Sequence, residues 1–591
     1  MGENRKGYVV KLDGTESISK SLVGGKAWSI SKMKALGIPV PAAFVISTEA
    51  CRYFLEHGIL PEELDASVRE SVTWLENETG REFSASLNPL LVSVRSGSEI
   101  SMPGMMDTIL NLGMNGKVER ALAEELEDPV FAKDTHLRFL RLYSEIVLKM
   151  ADVNSNVESA SSLRQEIKAK GGEVPESGYA QLFASIEAVF QSWNSRRAKR
   201  YRRHNGISDL LGTAVTIQAM VFGNLDGQSG TGVLFSRNPI TGEKKFYGEY
   251  LSRSQGEDVV SGKITPNSID FLESSNPVVF ENLTAAAQML EMENKEVQDI
   301  EFTVERGKLF LLQTRAAKRA PLAALRFAVD FVEEGAIDKL TALQRVSVEQ
   351  LRKVSAPLVE SSVLESATAI LKGEPACPGV GQGVLVTSAD NAEIRSGKGE
   401  NVVLGCSTTS PEDIHGMISS RALVTELGGS TSHAAVVGRS LGIPTVVKCG
   451  EGRVMSLQGM EVTVDGATGT IFKGFLPLSY PEEDSPYLRK LSSWLTEFCP
   501  IEVHATSAPV DGRVLDLDNT QWGQDLESLA TIIEGYSYAK GSILDSIEGV
   551  RMAMKSGIQG ILVLHPLSVK LAAVKCLLED TLETVKGKQD G

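Results

Sequence analysis

Thr425-Glu-Leu-Gly-Gly-Ser-Thr-Ser-His433-Ala-Ala-Val-Val437 places one histidine behind a Gly-Gly turn and a Ser/Thr cluster, where an apolar helix begins. The first turn of a helix leaves backbone N–H groups unpaired and carries the positive end of the macrodipole. Such a position binds phosphate, and an imidazole there can carry a phosphoryl group whose oxygens meet those donors. Ser and Thr are also ordinary helix caps, so the run taken alone reads better as a capped helix with a partly buried histidine. The upstream sequence shifts that balance. Around the histidine, Pro378-Gly-Val-Gly-Gln-Gly383 and the β run Val384–Thr387 open a unit that Val462-Thr-Val-Asp465 and Gly469-Thr-Ile-Phe472 close.

Three upstream clusters suit a triphosphate. Gly24-Gly25-Lys26 combines close backbone approach with a point charge. Val94-Arg95-Ser96-Gly97, followed by Ser101-Met-Pro-Gly104-Met-Met-Asp107-Thr108, joins a guanidinium fork to a Gly loop able to close over phosphates. Asp299-Ile-Glu301 and Gln313-Thr-Arg315 flank a hairpin, and strand alternation puts each pair on one face. With a three-residue turn at Gly307, Asp299 is expected opposite Gln313, leaving two carboxylates to hold Mg²⁺ beside phosphate. A P-loop is excluded, because Gly256 and Gly262 are separated by five residues and no Ser or Thr follows Lys263. No dinucleotide fingerprint follows a strand either.

The chain has 591 residues, which predicts roughly three to five domains, since single cores rarely exceed ~250–300 residues. With 60 basic and 76 acidic side chains the net charge is −16, which argues against nucleic acid as a partner but not against a local basic pocket. Six scattered cysteines without a C-x-x-C pair read as reduced thiols. The N-terminus lacks the apolar core of a signal peptide, and no run of 18 apolar residues predicts a membrane span. A cytoplasmic protein with no membrane partner is the expectation. Periodicity predicts helices over 117–150 and 177–205, with polar Asp152–Gly178 as a connection or mobile insert.

These runs, in this order, resemble the pyruvate, phosphate dikinase family of phosphoenolpyruvate-utilising enzymes. The resemblance rests on Leu22–Ala27, Val92–Gly97, Ser101–Gly113, Gln218–Asn224, Ser229–Pro239, Gly248-Glu-Tyr250, Gln255–Val260, Gln313-Thr-Arg315 and Thr431-Ser-His433-Ala-Ala435, and covers about residues 7–475. It implies an α+β and α/β multidomain chain: an ATP-grasp nucleotide-binding half, then a swivelling β/β/α phosphohistidine domain and a short α/β C-terminal tail. The corresponding boundaries are 1–115 and 205–317 for the ATP-grasp region, 116–204 for a helical insert, 318–374 for a helical linker, 375–478 for the phosphohistidine domain and 479–591 for the tail.

The resemblance also implies a reaction in which ATP charges His433, inorganic phosphate takes the outer phosphoryl group, and AMP and pyrophosphate leave. Lys26, Arg95 and Arg315 would neutralise phosphates, with Arg95 and Arg315 joining His433 in catalysis. Gly104, Asp107 and Thr108 would form a closing loop, and Arg138 matches a phosphate-region arginine. Gln218 and Glu257 would lie near the nucleoside, while Asp299 and Glu301, with Gln313, would hold Mg²⁺.

Only 111 residues follow residue 480, too few for the ~250-residue barrel in which the family phosphorylates pyruvate. His565 and Leu567 stand where the family has an arginine and a glutamate after a barrel strand; Leu427 and Ser430 also depart from the usual basic residue and methionine. The expectation is therefore an ATP-dependent histidine phosphotransferase that passes its phosphoryl group to pyruvate or another acceptor, on a separate barrel subunit. A homodimer is compatible with this reading. Two other readings remain: a phosphotransferase acting on a different small molecule such as an antibiotic, and an ATP-binding regulatory paralogue with reduced catalysis.

Overall fold

The computed structural model describes residues 7–100, 102, 105–150, 153, 157–256, 258, 266–354, 358–364, 366–479, 485–521, 523 and 525–587. Two five-stranded antiparallel sheets build the N-terminal half. The first runs in the order Val9–Lys11, Ala43–Ile46, Ala214–Ala219, Val92–Gly97, Thr108–Leu112. The second is Asn267–Ser268, Tyr247–Ser252, Gly230–Phe235, Gln298–Glu305, Lys308–Ala316. Their strands are rich in Val, Ile and Phe, and Phe44, Val94, Ile217, Ile300 and Phe302 are fully buried. Those side chains leave the polar positions of the same strands to face a cleft.

The helix expected over 117–150 is two helices, Gly116–Leu126 and Pro129–Ile146. Glu127 is left-handed (φ 53°), and the Asp128 carboxylate caps the second helix by accepting from Val130 N and Phe131 N. Within the polar stretch 152–178, which was expected to be a connection, a short helix forms over Ala160–Ala169. Ala160, Leu163 and Ile167 supply its one buried stripe.

The unit that carries His433 is built on an eight-stranded sheet. Its centre is parallel, with Val380–Val386, Val402–Cys406, Ala422–Thr425 and Thr445–Val447 side by side. The strand Ala369–Lys372 forms one edge of this sheet. Leu358–Val359 and Leu478–Ser479, which lead into and out of the unit, pair antiparallel with each other.

The C-terminal region forms a four-stranded parallel sheet in the order Glu502–Ala505, Gly560–Val563, Tyr538–Lys540, Val514–Asp516. Helices Pro321–Glu333, Lys339–Arg345 and Val348–Val354 pack on the helices that flank this sheet. Leu325, Val329, Leu343, Leu351, Leu491, Trp494, Leu571 and Val574 share one core. Among the described residues no helix is long and apolar enough to cross a membrane.

Candidate functional site: a charged cleft beside the phosphohistidine helix

The hairpin Gln298–Ala316 sets the chemistry of the cleft. Its turn is a two-residue one, with Arg306 (φ 49°) and Gly307 (φ 75°) both left-handed and Glu305 opposite Lys308. A register shift between Glu301 and Phe302 then makes Leu312 the extra residue of a bulge. The expected Asp299–Gln313 pairing is therefore replaced by Asp299 opposite Arg315 and Glu301 opposite Gln313. Directly opposed residues share a face, so all four groups still point the same way.

A cavity of about 960 Å³ opens between the two sheets. Lys26, Arg95, Thr108, Gln218, Glu301, Gln313 and Arg315 line it, the first four from the first sheet and its helix and the rest from the hairpin. Lys26 follows a kink in the helix Lys20–Ala35, where Gly24 adopts φ 75° and ψ 164°. A Cβ at Gly24 would lie 1.9 Å from Gly97 O, so only glycine permits this approach.

The charges form a closed network. Arg95 Nη2 donates to Glu301 Oε2 at 3.0 Å, Arg315 Nε donates to Asp299 Oδ2 at 2.8 Å, and Arg315 Nη2 lies 3.9 Å from Glu301 Oε1. Burial pushes the Glu301 carboxyl upward, but Arg95, Arg315 and Lys26 outweigh it and hold it at about 2. Burial, joined by Arg95 and Arg315, drives the Lys26 ammonium well below the lysine range, against Glu301. Asp299 is 2% exposed and its Oδ1 has no hydrogen-bond partner.

The donor chemistry suits Mg²⁺, a hard cation commonly held by one or two carboxylates plus phosphate oxygens. Among the described residues no group of three or more His, Cys, Asp or Glu is placed to hold a metal ion. Asp299 and Glu301 would thus hold it together with the nucleotide and Gln313, and the orphaned Oδ1 is a ready ligand atom.

Other expected site residues lie elsewhere. Asp107 is ion-paired with Arg197, which also donates to Met105 O at 3.1 Å and to Glu412 Oε1 at 2.6 Å in the phosphohistidine unit. Arg138 is not among the cavity residues; it pairs with Asp134 at 2.8 Å and Asp258 at 3.2 Å. Gly104 and Glu257 lie outside the described residues.

His433 is the first residue of the helix His433–Leu441; Ser432 stands at the N-cap position, but its buried hydroxyl makes no capping hydrogen bond. Its Nδ1 is 3.2 Å from Thr409 Oγ1, and its Nε2 is buried without a hydrogen-bond partner. Burial draws the imidazole down to about 4, only weakly opposed by Asp413. His433 does not line the cavity, but Arg439 and Ser440 at the far end of the same helix do. The adjoining Ala434 and Ala435 pack with Met102 and Met105 of the expected closing loop.

The unit is held to the N-terminal half by a buried group that sequence reading did not single out. Glu249 Oε1 accepts from Ser430 N at 2.6 Å and Ser430 Oγ at 2.7 Å, while Oε2 accepts from Thr431 N at 3.2 Å and from Thr431 Oγ1. A Cβ at Gly429 would come within 2.4 Å of Glu249 Oε1, which explains the glycine there. Glu249 lies in the quoted Gly248-Glu-Tyr250 run, but its partners are about 180 positions away and no local pattern announces them.

Fold and site together define a charged cleft between two antiparallel sheets, bordered by an α/β unit that carries His433. Comparison with known proteins agrees. Residues 20–75 and 57–296 match the AMP/ATP-binding domain of pyruvate phosphate dikinase, and residues 398–469 match the mobile domain of PEP-utilising enzymes. The chain is similar to the pyruvate, phosphate dikinases over both matched regions. It is 38% identical over 538 residues to the pyruvate, phosphate dikinase of Clostridium symbiosum, covering 85% of this chain and 61% of that protein. For Rickettsia conorii the identity is 40% over 550 residues (85% and 62%), and for Entamoeba histolytica 40% over 537 residues (84% and 60%). The chain thus spans about three fifths of the length of these relatives.

Proposed function

We propose that the chain is an ATP-dependent histidine phosphotransferase that carries out the charging half of a dikinase reaction. Nε2 of His433 attacks the β-phosphorus of ATP, the bond to the α-phosphate breaks, and AMP departs with the electron pair. Inorganic phosphate then takes the outer phosphoryl group as pyrophosphate, leaving phosphohistidine. The acceptor of the remaining group is pyruvate or another small molecule, on a separate subunit. The observation that carries this reading is the network of Lys26, Arg95, Arg315 and Glu301 in one cleft, with buried Asp299 bonded to Arg315, bordered by the helix that begins at His433.

Phosphoryl transfer depends on positioning and charge neutralisation more than on covalent chemistry by side chains. Arg95 and Arg315 pair with carboxylates when no phosphate is present, and their forks are the groups best shaped to turn to phosphate oxygens. Asp299 and Glu301 then become free for Mg²⁺, which when bound neutralises phosphate charge. The lowered pKa of His433 keeps the imidazole neutral at physiological pH, as a nucleophile requires.

Incubation with ATP labelled at the β-phosphorus, Mg²⁺ and phosphate tests the reading. Acid-labile label on the protein, with one AMP released per site, is expected. Binding of Mg-ATP without label or AMP under any phosphate condition overturns it and favours the regulatory reading.

A further inference from the structure

The short helix Val348–Val354 meets three parts of the molecule with three successive residues. Leu351 is buried in the core it shares with Leu571 and Val574 of the long C-terminal helix Pro566–Gly587. Arg352 Nη2 donates to the carbonyl of Asp545, and its Nε donates to Ser568 Oγ at 3.4 Å, so both of these partners belong to the C-terminal unit. The preceding helix is tied to the same unit, with Lys575 Nζ donating to Gln344 O at 3.0 Å and Lys339 paired with Glu497 at 2.8 Å. Lys353 instead meets the unit that carries His433. Its Nζ donates to the carbonyl of Leu441, the last residue of the helix that begins at His433.

The last carbonyls of a helix lack intrahelical partners and carry the negative end of the macrodipole, so a lysine ammonium suits that place. The fit is close. A Cβ at Gly442 would lie 2.8 Å from both Cδ and Nζ of Lys353, and Gly442 itself is left-handed at φ 59°. Glu349, one turn back, lies 3.0 Å from the same ammonium, so release of the helix end does not strand the charge. The N-terminal half meets the start of the His433 helix through Glu249 and its end through Tyr201, which is hydrogen-bonded to Ser440. Lys353 adds a hold from a different body, one that is itself braced on the C-terminal unit.

We propose that the C-terminal unit braces the chain for charging: through the helix Val348–Val354 it holds the helix of His433 in its seated position, with Lys353 as the positioning residue and Arg352 as the strut behind it. The C-terminal sheet thereby has a task that needs no substrate of its own. The kinetic part of the inference rests on the reading of His433 as the charged residue, whereas the seating itself does not. A nucleophile must stand about 3–3.5 Å from the atom it attacks, in line with the leaving group. Loss of seating therefore slows transfer and leaves nucleotide affinity intact. The links act in series, from Asp545 and Ser568 to Arg352, along one helix, and from Lys353 to Leu441. Once one link in such a series is cut, the other has little left to lose.

Amide hydrogen exchange of the full chain reads seating without any chemistry, because the N–H groups of Ser430 and Thr431 are bonded to Glu249 across the seam. Lys353→Met and Arg352→Met each speed exchange of those two amides by about threefold or more. Each also slows single-turnover labelling of His433 by about tenfold, with affinity for a Mg-nucleotide analogue changed by less than about twofold. Lys353→Arg keeps a donor and restores both readings, and the double Met variant behaves as Lys353→Met does alone. Unchanged exchange in Lys353→Met overturns the proposal. So do effects of the two Met variants that multiply, because independent contacts add in free energy. If the parent chain is never labelled, the phosphotransferase reading fails, and the exchange measurements alone decide the brace.

Discussion

Around Glu301 three cations crowd one carboxylate and hold it at about 2; around His433 burial removes water, supplies no ion pair, and draws the imidazole down to about 4. The two environments belong to one machine and solve different problems. The cleft stores its charge in pairs, so on the proposed reading a phosphate and a metal ion would replace existing interactions without creating isolated charges. The histidine pocket stores an unprotonated nitrogen. A carboxylate close to His433 would stabilise the imidazolium and withdraw the lone pair; among the described residues the acidic influence is that of Asp413, which burial outweighs.

That contrast can be broken most completely by His433→Ala, which is expected to abolish acid-labile labelling while leaving affinity for a Mg-nucleotide analogue within about threefold. Unchanged labelling would show that another residue is charged. On the side of the cleft, Arg315→Met leaves the Asp299 carboxylate unpaired and removes a phosphate partner. Nucleotide affinity should fall by about 30-fold or more in equilibrium titration, because breaking a buried charge pair strands its partner.

The two pKa shifts sharpen the same comparison. With His433 near 4 and not at 6.5, single-turnover labelling should fall by less than about twofold from pH 7 to pH 5.5, where an ordinary histidine loses nearly tenfold of its neutral form. The shift also has a stability sign: between 6.5 and 4 the unfolded chain binds a proton that the folded chain does not, so folding weakens as pH falls through that window. Lys26 should behave in the opposite sense on ligation. Triphosphate favours its ammonium, so ATP binding should be accompanied by proton uptake at this group, read from calorimetry in buffers of different ionisation enthalpy. No uptake would mean that Lys26 is already charged in the free chain.

Strand alternation made the polar face of the hairpin legible, but its register was not. A two-residue turn places Arg306 at positive φ, and Arg-Gly is a weak signal for such a turn beside Asn-Gly. Alone, that turn would have set Glu301 opposite Leu312; the bulge restores Gln313 to that place, and nothing local in Leu311-Leu312 foretells it. The start of the helix at His433 was readable because it is a local backbone requirement, whereas the glycines at 24 and 25 read as a loop and are a kink inside a helix packed on Gly97. Glu249 and Arg439 were not, since their meaning depends on partners or a cavity assembled from distant segments. Asp107 shows the same limit: its placement in a Gly-rich loop suggested phosphate, but the nearest cation is Arg197, 90 positions away.

The pairing of Leu358–Val359 with Leu478–Ser479 ties the inbound and outbound chain of the phosphohistidine unit into a single two-ply strap. A narrow antiparallel ribbon twists readily about its long axis, whereas prising its plies apart breaks backbone bonds. A connection of this kind resists separation of its two strands more than it resists twisting. Lengthening one ply without the other would slip the register by a residue and reverse which side chains face inward, so the leash is measured on both sides at once.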